Sequence, residues 1–314
     1  MAQGFRPSRK PPIWSAGRLP LLRAGRPPRR TRARAGLRRS HFRGDRPAAG
    51  SPVDSHGSPH PPAPRGREMA PPPGVAAGAP AGVAAALRSR ISTRAFLQDR
   101  AVPVEVVTEL LELATRAPSG GNIQPWHLYV LAGEARQSLV TATLDALQSG
   151  RASGAKPEYR SYPKDDVAPA AYGPRRRKLA YDMFGLLGVD RHDHAGRQAA
   201  LMRNFDFFGA PVGIIVTVDR VCDSNAWGHT GMLLQSICLL AQERGLATCL
   251  QEAWGNLGRT VYDALEIPDS EVVWCGLALG HADPAHPVNA LRSEREPLAA
   301  VAQLRGFARP AARL

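Results

Sequence analysis

The sequence is poor in cysteine and gives its cysteines no pattern for pairing or for holding a metal. The four, Cys222, Cys238, Cys249 and Cys275, form no CxxC pair, and no Cys/His spacing suits structural zinc. Disulfide frameworks are typical of much shorter secreted chains, so we interpret these residues as mostly buried free thiols.

Long apolar runs are missing as well. The strongest run, residues 209–218, is about half of the roughly 20 residues that a membrane-spanning helix needs. No signal-peptide core is visible at the start. We therefore expect no membrane segment and a location in the cytoplasm, a reducing compartment.

The common nucleotide and hydrolase signatures are also absent. The sequence has no G-x-G-x-x-G after a strand, no G-x-x-x-x-G-K-[ST] and no G-x-S-x-G. These absences argue against a common nicotinamide- or ATP-binding fold and against a serine hydrolase. His192 and His194 flank Asp193, but such a triplet is more typical of a solvated loop, so we expect no metal site.

Positive charge is abundant, and it is concentrated at one end of the chain. The net charge of +14 would be typical of a nucleic-acid-binding protein. However, residues 1–68 have 16 Lys and Arg against 3 Asp and Glu, a net charge of +13, whereas residues 69–314 have 25 against 24. Nucleic-acid binding through the basic end is therefore a weaker rival, which deletion of residues 1–68 would test.

Residues 1–80 are predicted to be a disordered extension. They are rich in Arg, Pro, Gly and Ala and show no hydrophobic period, so they cannot bury enough apolar surface to offset the entropy lost on ordering. Three interpretations are open: a nucleic-acid-binding arm, an organelle transit peptide, or residues absent from the natural protein, with Met69 as the true start. The intact mass of the natively expressed protein would decide the last.

Residues 81–300 have the patterns of one folded domain, followed by a tail over 301–314. Strands are predicted over 127–131, 209–218, 247–250 and 271–279, with helical patterns between them, including 198–208. Helices outweigh strands, which predicts an α+β class with a central sheet flanked by helices. Residues 150–174 are polar and irregular.

Two polar clusters could bind a phosphorylated, planar ligand. The first, residues 90–96, places two arginines and two hydroxyls within five positions, which suits a phosphate clamp but also a capped turn. In the second, residues 118–126, glycines allow close backbone approach, and Asn and Gln amides can bond a ring edge. Taken alone, such a cluster is more often an ordinary loop.

Together these clusters resemble the nitroreductase family of flavoproteins. The pattern Arg-x-Ser-x-Arg-x-Phe at 90–96 precedes Ala-Pro-Ser-x-x-Asn-x-Gln-Pro-Trp at 117–126, and similar segments follow at 245–252, 275–283 and 288–298. The resemblance covers about residues 85–300. Three further segments resemble the nitrobenzoate reductases of that family, namely 175–177, 187–191 and 203–212.

The resemblance implies a mostly antiparallel sheet and a homodimer with FMN at its interface. Segment 90–94 and two C-terminal arginines would hold the phosphate, loop 118–124 of the partner subunit would contact the ring, and the main chain at 252–253 would direct an N–H to N5. The flavin supplies the chemistry, so no catalytic side chain is expected. The implied FMN contacts are Arg90, Ser92, Arg94, Pro118, Ser119, Gly120, Asn122, Gln124, Glu252, Ala253, Arg292 and Arg295.

The same resemblance implies a ping-pong reaction. NADPH or NADH would deliver hydride to the flavin and leave, and a nitroaromatic or quinone would then be reduced. Residues 150–200 would form a lid that selects the substrate. Arg175–Arg177 would be a solvated face, or would grip a nitrobenzoate carboxylate or an NADPH phosphate. The main rivals are a flavin-cleaving enzyme and a reductive dehalogenase of the same family.

Overall fold

The computed structural model of the chain describes residues 82–152, 158–163, 167–222 and 224–307. The predicted extension 1–80, with Met69, and the end of the predicted tail lie outside these ranges. The predictions made for them therefore stay predictions. Within the described ranges, no helix is both long and apolar enough to cross a membrane.

A four-stranded sheet forms the centre of the domain. Its strands are β1 (Trp126–Ala132), β2 (Val212–Asp219), β3 (Ala247–Gln251) and β4 (Glu271–Gly280), in the order β1-β2-β4-β3. Every neighbouring pair is antiparallel, and the β2–β4 register shifts between Val216 and Thr217. The predicted α+β class with a mostly antiparallel sheet is confirmed.

Eight α-helices lie along the described chain, and most of the longer ones pack on the sheet. Their hydrophobic residues recur at helical spacing, which predicts an apolar stripe facing the core. They are α1 (Val83–Ser89), α2 (Val104–Ala114), α3 (Gly133–Gln148), α4 (Tyr172–Leu186), α5 (His194–Met202), α6 (Ser224–Glu243), α7 (Arg259–Leu265) and α8 (Leu298–Val301).

Hydrophobic cores lie on both faces of the sheet. Because side chains alternate along a strand, the adjacent residues Ile214 and Ile215 enter different cores. The first contains Leu110 of α2 and Leu233 of α6, and the second contains Leu139 of α3. Burying an aliphatic side chain of this size stabilises the fold by about 1.5–3 kcal/mol.

The segment before β2 differs from its sequence prediction. The predicted helix 198–208 is instead α5 followed by a 3₁₀ turn over Arg203–Gly209, and the predicted strand 209–218 begins only at Val212. Phe207 and Phe208 take left-handed backbone angles, with φ of 49° and 54°. The Phe207 ring stacks on Trp254 at 4.5 Å between centroids, and this packing ends the regular helix.

Candidate functional site

The arginine-rich segment 90–96 runs along the edge of the sheet, beside β3. Ser92 forms a parallel bridge with Thr248, and the Thr93 N–H donates to the Thr248 carbonyl at 3.0 Å. Phe96 forms an antiparallel bridge with Ala282, just beyond β4. The segment is therefore held in an extended form, and Arg90, Ser92 and Arg94 are all half-buried.

Asn289 fixes the middle of this segment from the C-terminal side. Its side-chain oxygen accepts the Arg94 N–H at 2.9 Å. Its amide nitrogen donates to the carbonyls of Ala95 and Asp283, at 2.8 and 2.9 Å. One amide therefore joins the arginine segment to the chain that follows β4.

The side chains of this segment offer hydrogen-bond donors that no neighbouring carboxylate neutralises within the described residues. Within the described residues, neither Arg90 nor Arg94 has a carboxylate within ion-pair distance, and Arg94 Nη1 donates only to the Ser92 carbonyl, at 3.0 Å. Burial raises the pKa of the nearby Cys249 thiol to about 11, although the charges of Arg94 and Arg90 oppose this shift. Two guanidinium groups and a hydroxyl close together in the segment suit a phosphate.

The second predicted cluster, loop 118–124, lies on the surface. Asn122 and Gln124 have positive φ of 57° and 47°, which non-glycine residues rarely adopt. The turn is held by the Gln124 N–H, which donates to Ser119 Oγ at 3.0 Å. Pro118, Gly120, Asn122 and Gln124 are exposed and Ser119 is half-buried, so the loop presents its polar groups outward.

His229 of α6 supports this loop from beneath. Its Nε2 accepts the Gly120 N–H at 3.2 Å, which places the ring proton on Nδ1. A Cβ at position 120 would lie 3.1 Å from His229 Cε1, so glycine allows this close approach. His229 Nδ1 is buried without a hydrogen-bond partner among the described residues.

The segment after β3 turns sharply and contains Glu252 and Ala253. A 3₁₀ turn over Glu252–Asn256 is held in place by Trp254, which is 1% exposed and packs against Gly276 of β4. Burial raises the pKa of Glu252, and the nearby Ser161 hydroxyl partly opposes this shift. The main chain at 252–253 is thus fixed by a buried neighbour.

A cleft of about 310 Å³ opens beside Glu252. Trp227 packs edge-on against Trp274 at 5.3 Å and against Tyr159 at 4.9 Å, while Arg160 and Ser161 also line the cleft. The Tyr159 hydroxyl donates to the Trp274 carbonyl. The cleft therefore has aromatic walls, one carboxyl and one guanidinium.

The two C-terminal arginines are placed differently from each other. Arg292 Nη1 donates to the carbonyl of Asn289 at 2.9 Å, next to the residue that holds segment 90–96. Arg295 is exposed and donates to Ser293 Oγ at 2.7 Å and to nearby carbonyls. The structure thus connects Arg292 to the arginine segment through Asn289. Arg295 instead bonds within residues 293–296, which we call the C-terminal arm.

Comparison with known proteins identifies the family to which the chain belongs. The sequence profile of the nitroreductase family matches residues 87–281. The chain belongs to the nitroreductase family. Over 225 residues it is 36% identical to 4-nitrobenzoate reductase from Pseudomonas putida, an alignment that covers 72% of this chain and 96% of the relative.

Two further relatives place this nitroreductase in the same branch. It is 38% identical to chloronitrobenzene nitroreductase from Comamonas testosteroni over 67% of this chain and 90% of the relative. The crystal structure of the FMN and NADPH-dependent nitroreductase NfnB from Sphigopyxis sp. strain HMH superposes with a TM-score of 0.69 and 39% identity, covering 72% of this chain and all of NfnB. The predicted resemblance to nitrobenzoate reductases is confirmed.

Two supporting residues of the nitroreductase site were not predicted from the sequence. Asn289 lies inside the quoted motif 288–298, but nothing marks it as the partner of residues 94 and 95, nearly 200 positions earlier. His229 is a lone histidine in a helical pattern, and its contact with Gly120 depends on how α6 packs. The one available signal for Asn289 was its place as a polar residue between the apolar residues Val288 and Ala290.

Proposed function

We propose that the protein is an FMN-dependent NAD(P)H oxidoreductase that reduces nitroaromatic compounds as a homodimer. The half-buried donor set of Arg90, Ser92 and Arg94, free of carboxylates within the described residues, is the observation that supports this most directly. The related NfnB is FMN and NADPH-dependent, and the related Pseudomonas protein is a 4-nitrobenzoate reductase.

In this proposal the sheet edge holds the FMN phosphate. Arg90 and Arg94 donate charged hydrogen bonds and Ser92 a hydroxyl, and Asn289 keeps the segment extended so that the donors converge. Arg292 adds positive charge from the C-terminal side, and Arg295 would have to leave its own arm to do so. This arrangement suits a ligand that is anionic at one end.

The ring end needs residues from two subunits. The main chain at Glu252 and Ala253 would offer an N–H to the ring, while the largely exposed loop with Pro118, Ser119, Gly120, Asn122 and Gln124 would meet the ring bound to the partner. When bound, the flavin would supply the redox chemistry, and a fixed N–H would stabilise its reduced, anionic form.

The aromatic cleft beside Glu252 would receive the substrate. Trp227, Trp274 and Tyr159 offer flat apolar surfaces for a nitroaromatic or quinone ring, and Arg160 offers a charge for a carboxylate. The donor and the acceptor would use the cleft in turn, which gives ping-pong kinetics. Tyr159, Arg160 and Ser161 line one side of this cleft.

Reduction and reoxidation of the bound flavin test the proposal. We expect the purified full chain to be yellow, to bleach with NADPH in the absence of air, and to recover colour on addition of 4-nitrobenzoate. A colourless protein that cannot be reconstituted with FMN would refute the proposal. A flavin that binds but is not reduced would favour the flavin-cleaving or dehalogenase alternatives.

A substitution tests the phosphate clamp itself. We expect Arg94→Ala to weaken FMN binding by roughly ten- to a hundredfold, because a charged hydrogen bond is worth about 1.5–3 kcal/mol. Arg88→Ala, which removes the same charge from the exposed end of α1, is the matched control. Fluorescence titration of apoprotein with FMN measures both, and equal losses would contradict the assignment.

Assembly and location complete the proposal. Sedimentation of the holoprotein should give twice the chain mass, since the exposed loop 118–124 needs a ring held by a second subunit. A monomer that retains FMN would contradict this part. The cytoplasmic location stays a prediction, which fractionation of expressing cells would check.

A further inference from the structure

Among the described residues, helix α4 has basic side chains that form ion pairs and another that borders a pocket. Arg175 pairs with Glu296 at 2.7 Å, and Lys178 pairs with Glu294 at 3.2 Å and with Asp182 at 2.7 Å. These pairs fasten the C-terminal arm to the helix. The positive charge of these two side chains is therefore already balanced.

Another part of α4 borders a separate pocket of about 190 Å³. Positions 177 and 181 lie one turn apart and face α5 and the loop before it. The pocket combines three guanidinium groups with an imidazole and a phenol, and no carboxylate lines it. Its lining residues are Arg177, Ala180, Tyr181, Arg191, His192 and Arg197.

The two acids beside the pocket in sequence, Asp190 and Asp193, are not among its lining residues, and each binds a backbone N–H. Asp190 Oδ1 accepts the His192 N–H at 2.7 Å, and Asp193 caps α5 by accepting the Gly196 N–H at 2.8 Å. Within the described residues, Arg177 and Arg191 have no ion-pair partner. The pocket thus offers unbalanced positive charge in a concave site.

One guanidinium is held in place before any ligand arrives. Arg197 is half-buried, lies 4.7 Å from the centroid of the Phe184 ring and donates to the Arg191 carbonyl at 3.1 Å. Its position is therefore fixed by stacking and by a hydrogen bond. Such preorganisation favours binding of an anion, because little side-chain entropy remains to be lost.

The pocket is connected to the proposed FMN site through two elements. Helix α5 is followed by the 3₁₀ turn that contains Asn204, and the Asn204 carbonyl accepts the side-chain amide of Gln251, one residue before Glu252, at 2.7 Å. Arg197 lies seven positions before Asn204, which corresponds to about 10 Å at the rise of a helix. A dinucleotide can span such a separation, whereas the carboxylate of a nitrobenzoate lies only one ring away from its nitro group.

We propose that this pocket binds the 2′-phosphate of NADPH and gives the enzyme its preference for NADPH over NADH. The inference rests on the proposed function, since it assigns one end of the electron donor. The phosphate monoester carries close to two negative charges at neutral pH and accepts several hydrogen bonds, which matches three guanidinium groups.

Binding to the holoenzyme tests the site without turnover. The probes are adenosine 2′,5′-bisphosphate and adenosine 5′-monophosphate, which lacks the 2′-phosphate, titrated by calorimetry. We expect Arg177→Ala and Arg191→Ala each to weaken the bisphosphate about tenfold and to leave the monophosphate unaffected. The control Arg151→Ala, an exposed arginine at the end of α3, should change neither affinity.

Steady-state kinetics give the second readout. The ratio of kcat/KM for NADPH to that for NADH should fall about tenfold in each pocket variant. Equal losses with both coenzymes, or no loss, would overturn the proposal. So would a rise in KM for 4-nitrobenzoate that neutral nitrobenzene does not show, because the anion bound would then be the substrate's carboxylate.

The failure of this proposal is distinguishable from failure of the proposed function. A chain that binds no FMN would refute the function. An FMN-loaded enzyme that reduces nitroaromatics, but whose pocket variants keep the coenzyme ratio of the wild type, would refute only the 2′-phosphate site.

Discussion

The two halves of the proposed FMN site are built in different ways. The inner half, segment 90–96, is tied to the sheet through Thr248, to the chain beyond β4 through Ala282 and to the C-terminal side through Asn289. The outer half, loop 118–124, is exposed and is joined to the helices mainly by the hydrogen bond from Gly120 to His229.

This difference assigns the stability of the fold to the inner half and contacts between subunits to the outer half. Residues of the inner half serve the fold and the phosphate together, because the hydrogen bonds that extend the segment also position its donors. Residues of the outer half contribute less to the fold, so their side chains are available to contact a second subunit. Substitutions in the two halves should therefore change different measured quantities.

Removing Asn289 should have the largest effect on folding. Asn289→Ala loses three hydrogen bonds and leaves the Arg94 N–H without its partner, so we expect the free energy of unfolding to fall by about 2–3 kcal/mol. Urea unfolding measures it. Asn225→Ala, an exposed asparagine in the first turn of α6, is the control. Equal stability of both variants would contradict the role given to Asn289.

A methyl group at position 120 should change the conformation of the outer half without destabilising the fold. In Gly120→Ala the new Cβ would lie 3.1 Å from the His229 ring, so the loop must shift. We expect FMN binding to weaken about tenfold while the free energy of unfolding changes by less than about 1 kcal/mol. Gly228→Ala, a neighbour of His229 with open space around it, is the matched control. If Gly120→Ala unfolded the protein, the separation of the two halves would be wrong.

The smallest expected effect concerns Glu252, which lies in the turn after β3 and lines the cleft. Burial raises the pKa of this carboxyl, so its charged form is disfavoured in the folded state, and stability is lost as pH rises through the raised pKa. Glu252→Gln removes this penalty and keeps the main-chain N–H. We expect a small rise in Tm at pH 7 that disappears below the usual carboxyl range. A rise that persists at acid pH would indicate another cause.

Local patterns in the sequence were sufficient for the sheet and for the polar clusters. The β-branched run of β2 and the alternation of helices and strands gave the fold class, and the arginine segment was found by its own composition. The turn at Phe207 and Phe208 could not be predicted, because a Phe207 ring packed on Trp254 overrides local helix propensity.

The two residues that hold the site in place could not be predicted from the sequence for a related reason. Asn289 and His229 act through partners distant in sequence, and their residue types are equally common in turns and on helices. The basic face of α4 was recognised as a charged run, but which arginines are neutralised depends on the path of the C-terminal arm. Such questions are decided by tertiary contacts.

The covering of β3 by segment 90–96 has a consequence for handling the protein. An uncovered strand edge pairs readily with other chains and promotes aggregation. In the described part of the chain, a short bridge at Ser92 and Thr248 covers this edge, and the same segment is proposed to hold the flavin phosphate. Preparations depleted of FMN should therefore precipitate sooner than loaded ones, and cofactor supply during expression should set the soluble yield.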